Sequence, residues 1–177
     1  MSKNVKHYIL TALILGSIAM VGGALIGVTN LLTKNQIIKN EKKKINEGMV
    51  VLFGEGSNAS EAIEIKGDDK YLDCYYTVNK DNALQGYAFR VTGSNMYGKI
   101  SMLVGIKTTF EIGHIYLITN EQTYAQTLVD EYVTPYNNDQ SSLDDVSCGA
   151  TYGAKLVNEM ANEAKSWADN NLKGGNA

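Results

Sequence analysis

The stretch Ile100-Ser101-Met102-Leu103-Val104-Gly105-Ile106 carries the clearest strand pattern in the chain. Its apolar side chains at positions 100, 102, 104 and 106 recur at every second residue. This is the period of a β-strand that buries one face. We therefore predict a strand here, and the fold is expected to form around it.

Similar alternation, less regular, occurs on both sides of this stretch, in residues 71–78, 87–91 and 110–118. Turn-forming residues at 80–82 and at 93–95 are predicted to separate the runs. The separations are short, which favours antiparallel pairing of consecutive strands. The middle of the chain is therefore predicted to form an antiparallel sheet.

Helical patterns follow the predicted sheet. After residue 152, apolar residues recur at spacings of one, three or four, the stripe of a helix that lies on a core. The stripe consists of Leu156, Val157, Met160, Ala161, Ala164, Trp167, Ala168 and Leu172. A shorter helix is predicted to run to about Val133, where Pro135 is expected to end the segment. The predicted fold class is α+β, with helices packed on the sheet.

A loop of small residues, Asp145-Val146-Ser147-Cys148-Gly149-Ala150-Thr151, runs directly into the long helix. The first backbone N–H groups of a helix have no intrahelical acceptor, and they lie at the positive end of the helix dipole. Such a place binds phosphate, and Thr151 would add a hydroxyl there. The alternative is an ordinary helix cap, since Asp145 and Ser147 are good capping residues.

This loop also resembles the flavinylation motif of the FMN-binding domain family, roughly Asp-Gly-x-Ser/Thr-Gly-Ala-Thr. Val146 and Cys148 depart from the motif, and cysteine is close to serine in shape. The resemblance implies that a flavin transferase attaches FMN to Thr151 through a phosphoester. It also implies cofactor contacts from the rest of the motif, namely Asp145, Ser147, Cys148, Gly149 and Ala150.

A weaker likeness to the same family covers residues 86–89 and 97–106, which resemble its central hairpin. The family then usually carries Glu-Thr-Pro-Gly-Leu-Gly, but this chain has Glu-Gln-Thr-Tyr-Ala-Gln at 121–126. The loop that lines the flavin is therefore expected to differ. Glu121 and Tyr124 are candidate flavin contacts, and ordinary packing is the alternative for the tyrosine.

The N-terminal part of the chain is apolar. Residues 8–33 carry no formal charge, and as a helix they would extend about 39 Å, more than the ~30 Å hydrocarbon core of a membrane. We predict a retained membrane-spanning helix within residues 1–35. A cleaved signal peptide is the alternative, but the run is long and no clear Ala-x-Ala site follows it. Residues 36–69 are predicted to form a helical stalk and a loop, and residues 70–177 the FMN-binding domain.

The end of the span, residues 28–37, is similar to the membrane-anchored G subunit of the Rnf electron-transfer complex. The C subunit of the sodium-translocating NADH:quinone reductase is a more distant relative. This resemblance implies a single-pass protein of the bacterial cell membrane, with an extracytoplasmic FMN domain and other membrane subunits as partners. It also implies an ion-translocating oxidoreductase of the ferredoxin:NAD type. The lysines favour the opposite orientation, since two precede the span and five follow it at 34–44.

The totals exclude several other functions. A net charge of −3 gives no reason to expect a nucleic-acid partner. Two cysteines, Cys74 and Cys148, exclude a disulfide scaffold and leave a single bond open. The two histidines lie far apart, so no metal site is predicted, and no motif of an independent catalytic set occurs. Two alternatives stay open besides an Rnf-like subunit: a stand-alone flavinylated protein for extracellular electron transfer, and a cofactor-free anchored scaffold or binding domain.

Overall fold

The structure is a computed structural model that describes residues 3–67, 69–139, 143 and 148–173. The chain divides into two compact units, Met1–Lys43 and Lys44–Ala177. Helix α1 (Lys3–Phe53) begins in the first unit and ends in the second. The domain boundaries predicted above, 1–35, 36–69 and 70–177, stay a prediction.

The first unit contains the apolar part of α1. Lys6–Asn30 has a mean hydropathy of 2.3 over its most apolar part, and none of that part is buried within the structure. A helix of these 25 residues extends about 37 Å, enough to cross a hydrocarbon core of ~30 Å. This segment confirms the predicted N-terminal apolar helix.

The second unit combines one sheet with short and long helices. The strands are β1 (Asn58–Ala59), β2 (Ile63–Glu64), β3 (Leu72–Lys80), β4 (Ala83–Asn95), β5 (Gly98–Lys107) and β6 (Ile112–Asn120). The helices are α2 (Ala125–Leu128), a π turn (Val129–Val133), α3 (Thr134–Asp139) and α4 (Thr151–Asn171). All strand pairs are antiparallel in the order β1-β3-β4-β5-β6, and β2 also pairs with β3. The predicted α+β class and antiparallel sheet are confirmed.

Strand β5, which lies between β4 and β6, is buried on both faces. Every residue from Ile100 to Ile106 is buried, although the alternating pattern predicted burial of one face only. One cluster covers the first face, and α4 supplies much of it. The other face carries Leu103, which packs in a second cluster with Met49 and Leu52 from the end of α1. The last turns of α1, which come after the apolar segment in the sequence, are therefore part of the core of the second unit.

One predicted turn is right and the other is wrong. Asp81 and Asn82 have φ of 50° and 61° in the two-residue turn between β3 and β4. The turn predicted at 93–95 is instead the end of β4, and the chain reverses at Met96–Tyr97. Gly93 lies inside the strand because α4 packs very close there. A Cβ at Gly93 would approach the Met160 sulfur to 2.8 Å.

The irregular pattern of the last strand has a structural cause. The register between β5 and β6 shifts twice, and each shift places one extra residue on β6. Ile112 and Ile115 therefore contact the same cluster, although an odd spacing separates them. Phe110, which was predicted to begin this strand, lies in the preceding turn with φ of 64°.

Pro135 does not end the helical segment, contrary to the prediction. It is the second residue of α3, which follows the π turn directly. The preceding π turn ends with the N–H of Thr134 donating to the carbonyl of Val129, five residues earlier. This wider turn lets the chain begin a new helical segment at the proline, and the helix continues to Asp139.

The segment that follows the π turn covers the outer edge of β6. The Asn137 amide accepts a hydrogen bond from the Ile115 N–H (2.9 Å) and donates one to the Ile115 carbonyl (2.8 Å). The Tyr136 hydroxyl donates to the Gly113 carbonyl at 2.9 Å, and Lys44 donates to the Ile118 carbonyl at 2.7 Å. Side chains thus satisfy backbone groups that an edge strand would otherwise expose.

Replacing Asn137 tests this edge cover. Asn137→Ala removes both bonds to Ile115, so we expect the free energy of unfolding to fall by about 1–3 kcal/mol. Urea unfolding of the detergent-solubilised protein measures the change. Asn138→Ala is the matched control, because Asn138 is an exposed neighbour, and it should change stability by less than about 0.5 kcal/mol. Equal effects of the two variants would show that the Asn137 bonds do not stabilise the edge.

Candidate functional site

A cleft lies where the β4–β5 turn, the segment after β6 and the start of α4 meet. Its volume is about 220 Å³. The residues that line it are Tyr97, Gln122, Tyr124, Gly149, Ala150, Thr151, Tyr152 and Gly153. Five of these eight residues, those at 149–153, belong to the loop that sequence patterns single out for phosphate binding and to the first turn of the helix that follows it. The cleft is therefore the candidate functional site.

The segment after β6 is fixed against the β4–β5 turn by backbone contacts. The Glu121 N–H donates to the Lys99 carbonyl at 2.9 Å, and the Thr123 N–H donates to the Tyr97 carbonyl at 3.0 Å. The Gln122 side chain is 7% exposed, and its amide nitrogen donates to the Gly98 carbonyl. One wall of the cleft is thus built from two segments that hold each other in place.

Gly98 is needed for this close approach. Its φ is +137°, a conformation that side-chain-bearing residues rarely adopt. A Cβ at this position would also lie 2.1 Å from the Glu121 carbonyl oxygen. Both the backbone conformation and the available space therefore require glycine.

The start of α4 presents backbone groups of the kind that can bind an anion. Ala150 is the N-cap and provides no side-chain cap, and the first turn has no acidic residue. The first intrahelical bond runs from the Ala154 N–H to the Ala150 carbonyl at 3.0 Å. The N–H groups of Thr151, Tyr152 and Gly153 find no acceptor among the described residues. They are therefore available to a phosphate at the positive end of the helix.

Thr151 is exposed, and its hydroxyl donates to the Cys148 carbonyl at 2.8 Å. The neighbouring Gly149 N–H donates to the Glu131 carboxylate at 2.8 Å, which ties the loop to the π turn. The negative charge of Glu131 opposes the binding of an anion nearby. Glu131 is exposed to solvent, so this repulsion is largely screened.

Aromatic side chains also line the cleft. The ring of Tyr97 lies between those of Tyr152, with centroids 5.2 Å apart at 38°, and Tyr124, at 6.5 Å and 54°. Tyr124 and Tyr152 are 57% and 60% exposed. Rings at such distances form the kind of surface on which another planar ring packs.

The structure brings part of the predicted site together. Four of the predicted residues line the cleft: Gly149, Ala150, Thr151 and Tyr124. Glu121 is exposed and does not line it, and Cys148 is half-buried against the core. Asp145 and Ser147 lie outside the described residues.

Sequence reasoning missed three side chains that line the cleft, Tyr97, Gln122 and Tyr152. Tyr152 directly follows the predicted motif, so its position was a usable signal. Tyr97 and Gln122 reach the cleft only through the pairing of β4, β5 and β6. No periodicity along the chain indicates that pairing at the level of single residues.

The cysteines take no part in a bond to each other. Both are free thiols, and they pack in different clusters of the core. Burial raises the pKa of the Cys74 thiol, which disfavours its reactive thiolate form. His114 is half-buried on β6. Within the described part of the chain, no three His, Cys, Asp or Glu side chains are grouped so that they could hold a metal ion.

The comparison with protein families bears on the N-terminal quarter of the chain. Residues 1–47 match the RnfG N-terminal region. The chain thus resembles RnfG, the subunit already suggested by residues 28–37, and the match together with the apolar helix fits a membrane-anchored protein of an Rnf-type complex. A search of curated proteins finds no match. The matched region ends before the sheet, so the match gives no information about the cleft.

Gly98→Ala tests the assembly of the cleft wall. The added Cβ clashes with the Glu121 carbonyl, and alanine is strained at this positive φ. We therefore expect the free energy of unfolding to fall by about 2–4 kcal/mol. Gly54→Ala is the control, because Gly54 also has a positive φ (+83°) but open space around it. It should cost about 1 kcal/mol from backbone strain alone. Urea unfolding compares the two, and a Gly98 variant no less stable than the control would contradict the described contact.

Proposed function

We propose that this chain is the flavoprotein subunit of an Rnf-like, ion-translocating membrane oxidoreductase and that it holds FMN by a phosphoester to Thr151. The observation that carries the proposal is the place of Thr151. Its exposed hydroxyl lies in a cleft at the N-terminus of a long helix, next to N–H groups that have no acceptor among the described residues. The match of residues 1–47 to the RnfG N-terminal region supports the choice of complex.

The residues of the cleft fit such a cofactor. The first-turn N–H groups suit a phosphate, and the tyrosines suit a planar ring. The cleft, at about 220 Å³, is below the ~300–1,000 Å³ of pockets that enclose a drug-sized ligand. A tethered FMN would therefore remain partly exposed to solvent. FMN supplies the redox chemistry, accepting and releasing one or two electrons, and the protein positions it.

Attachment changes the hydrogen bonding of Thr151. In the unmodified protein its hydroxyl donates to the Cys148 carbonyl. Formation of the phosphoester joins the Thr151 oxygen to the phosphorus of FMN and breaks a P–O bond of the flavin donor, whose leaving group departs with the hydroxyl proton. This hydrogen-bond donor is therefore lost. A backbone carbonyl is not a general base, and the described residues place no other partner on this hydroxyl. We propose that a flavin transferase catalyses the attachment.

The remaining partners follow from the proposed complex. Other membrane subunits would exchange electrons with the exposed flavin in a reaction of the ferredoxin:NAD type, and the chain itself contributes no independent catalytic set. A stand-alone flavinylated protein would share the cleft and the attachment. The N-terminal match favours the subunit, since it covers the apolar helix of an Rnf-type protein.

The second unit is proposed to lie outside the cytoplasm, against the lysine count. Asn138→Cys, with both native cysteines replaced by serine, offers an exposed thiol for a reagent that does not cross membranes. We expect labelling in intact cells, or in spheroplasts where an outer membrane blocks access, to equal labelling after lysis. Labelling only after lysis would place this unit in the cytoplasm.

Substitution of Thr151 tests the attachment. With a flavin transferase co-expressed, the wild-type band on a denaturing gel should fluoresce, because a phosphoester survives denaturation. Thr151→Ala should be dark, since no hydroxyl remains, and Thr134→Ala, at an exposed threonine on α3, should stay as bright as the wild type. A dark wild-type band, or a bright Thr151→Ala band, would refute the proposal.

A further inference from the structure

We propose that Tyr97, Tyr124 and Tyr152 form a docking platform that holds the flavin ring against the protein and quenches its fluorescence. The platform rests on the proposed attachment at Thr151 and goes beyond it. Attachment through phosphate alone leaves the ring free on a flexible ribityl chain. The platform would fix the position and orientation of the flavin ring. It would therefore determine which face of the ring is accessible to an electron-transfer partner.

The first support is the exposure of these rings. Elsewhere in the second unit, Tyr132 and Tyr136 are buried, and their hydroxyls donate to the carbonyls of Leu143 and Gly113. Tyr124 and Tyr152 are instead more than half exposed, and their hydroxyls find no acceptor among the described residues. The rings of Tyr124 and Tyr152 are therefore accessible to a ligand in the cleft.

The second support is that the three rings are held from three different segments. The Asn95 side chain accepts from the Tyr97 N–H at 2.8 Å and donates to the Tyr152 carbonyl at 3.1 Å. The Thr123 N–H donates to the Tyr97 carbonyl, which fixes the residue directly before Tyr124. These bonds hold the backbone segments that carry the rings before any ligand arrives, which lowers the entropy cost of binding.

The third support is the distance from the attachment point. Tyr152 is the residue after Thr151, and Tyr97 and Tyr124 line the same small cleft. A ring tethered at Thr151 by a ribityl phosphate therefore reaches the platform without movement of the backbone. The replaced family loop at 121–126 supplies Tyr124, so this platform is a property of the present chain.

Phenols and simple aromatic rings differ in what they do to an excited flavin. A stacked tyrosine donates an electron to the excited ring, and the electron returns without emission of light. The ground states are restored, so no net oxidation occurs. Phenylalanine stacks in the same way but is a much poorer electron donor. Replacement by phenylalanine therefore separates quenching from docking.

The test uses the flavinylated, detergent-solubilised full-length protein and its Tyr124 and Tyr152 variants. Emission is measured in the folded protein and after denaturation, together with quenching by added iodide. We expect the folded wild type to be dimmer than the denatured protein. Tyr124→Leu and Tyr152→Leu should brighten the folded protein and increase iodide quenching roughly twofold, since one ring face becomes free. Tyr124→Phe and Tyr152→Phe should brighten it but keep the low iodide quenching.

Met96→Ala is the matched control, because Met96 is 84% exposed in the same turn but does not line the cleft. It should leave both readouts unchanged. A labelled protein whose emission and iodide quenching do not respond to any tyrosine variant would overturn the platform and leave the attachment at Thr151 intact. Absence of label on the denaturing gel would overturn both proposals.

Discussion

The burial of β5 on both faces is the constraint on which the second unit depends. A strand with side chains such as Met102 and Leu103 on opposite faces needs a cover on each side, because each exposed large apolar side chain would cost about 1.5–3 kcal/mol. Helix α4 covers one face, and the last turns of α1 cover the other. The final residues of α1 thus have a structural task that is separate from the apolar segment Lys6–Asn30.

The same packing places the candidate site. Gly93 lets α4 lie directly on β4, so the start of the helix is held at the end of the sheet where β4 turns into β5. Thr151 and its neighbouring N–H groups therefore meet the Tyr97 turn and the Gln122 segment. Binding groups on a loop are positioned well when rigid elements on both sides hold them. Here the rigid elements are a long helix and a four-stranded meander.

Local pattern predicted the elements but not their contacts. The stripe from Leu156 to Leu172 and the alternation around Ile100 depend on neighbours in sequence, and both predictions were confirmed. A turn was predicted at Gly93, but glycine is needed there because Met160 packs against it. Met160 lies far along the chain, so local sequence gave no sign of this contact. In the cleft, Thr151 was predicted from a local motif, whereas the positions of Tyr97 and Gln122 depend on strand pairing. Their place in the cleft could not be predicted before the register was known.

The central claim is that Thr151 carries the flavin, and the mass of its peptide tests it most directly. The protein would be isolated from cells that contain a flavin transferase, digested, and the peptide that contains Thr151 fragmented in a mass spectrometer. We expect an added mass equal to FMN less one water, located on Thr151. An unmodified Thr151 peptide, or the same added mass on another residue, would contradict it.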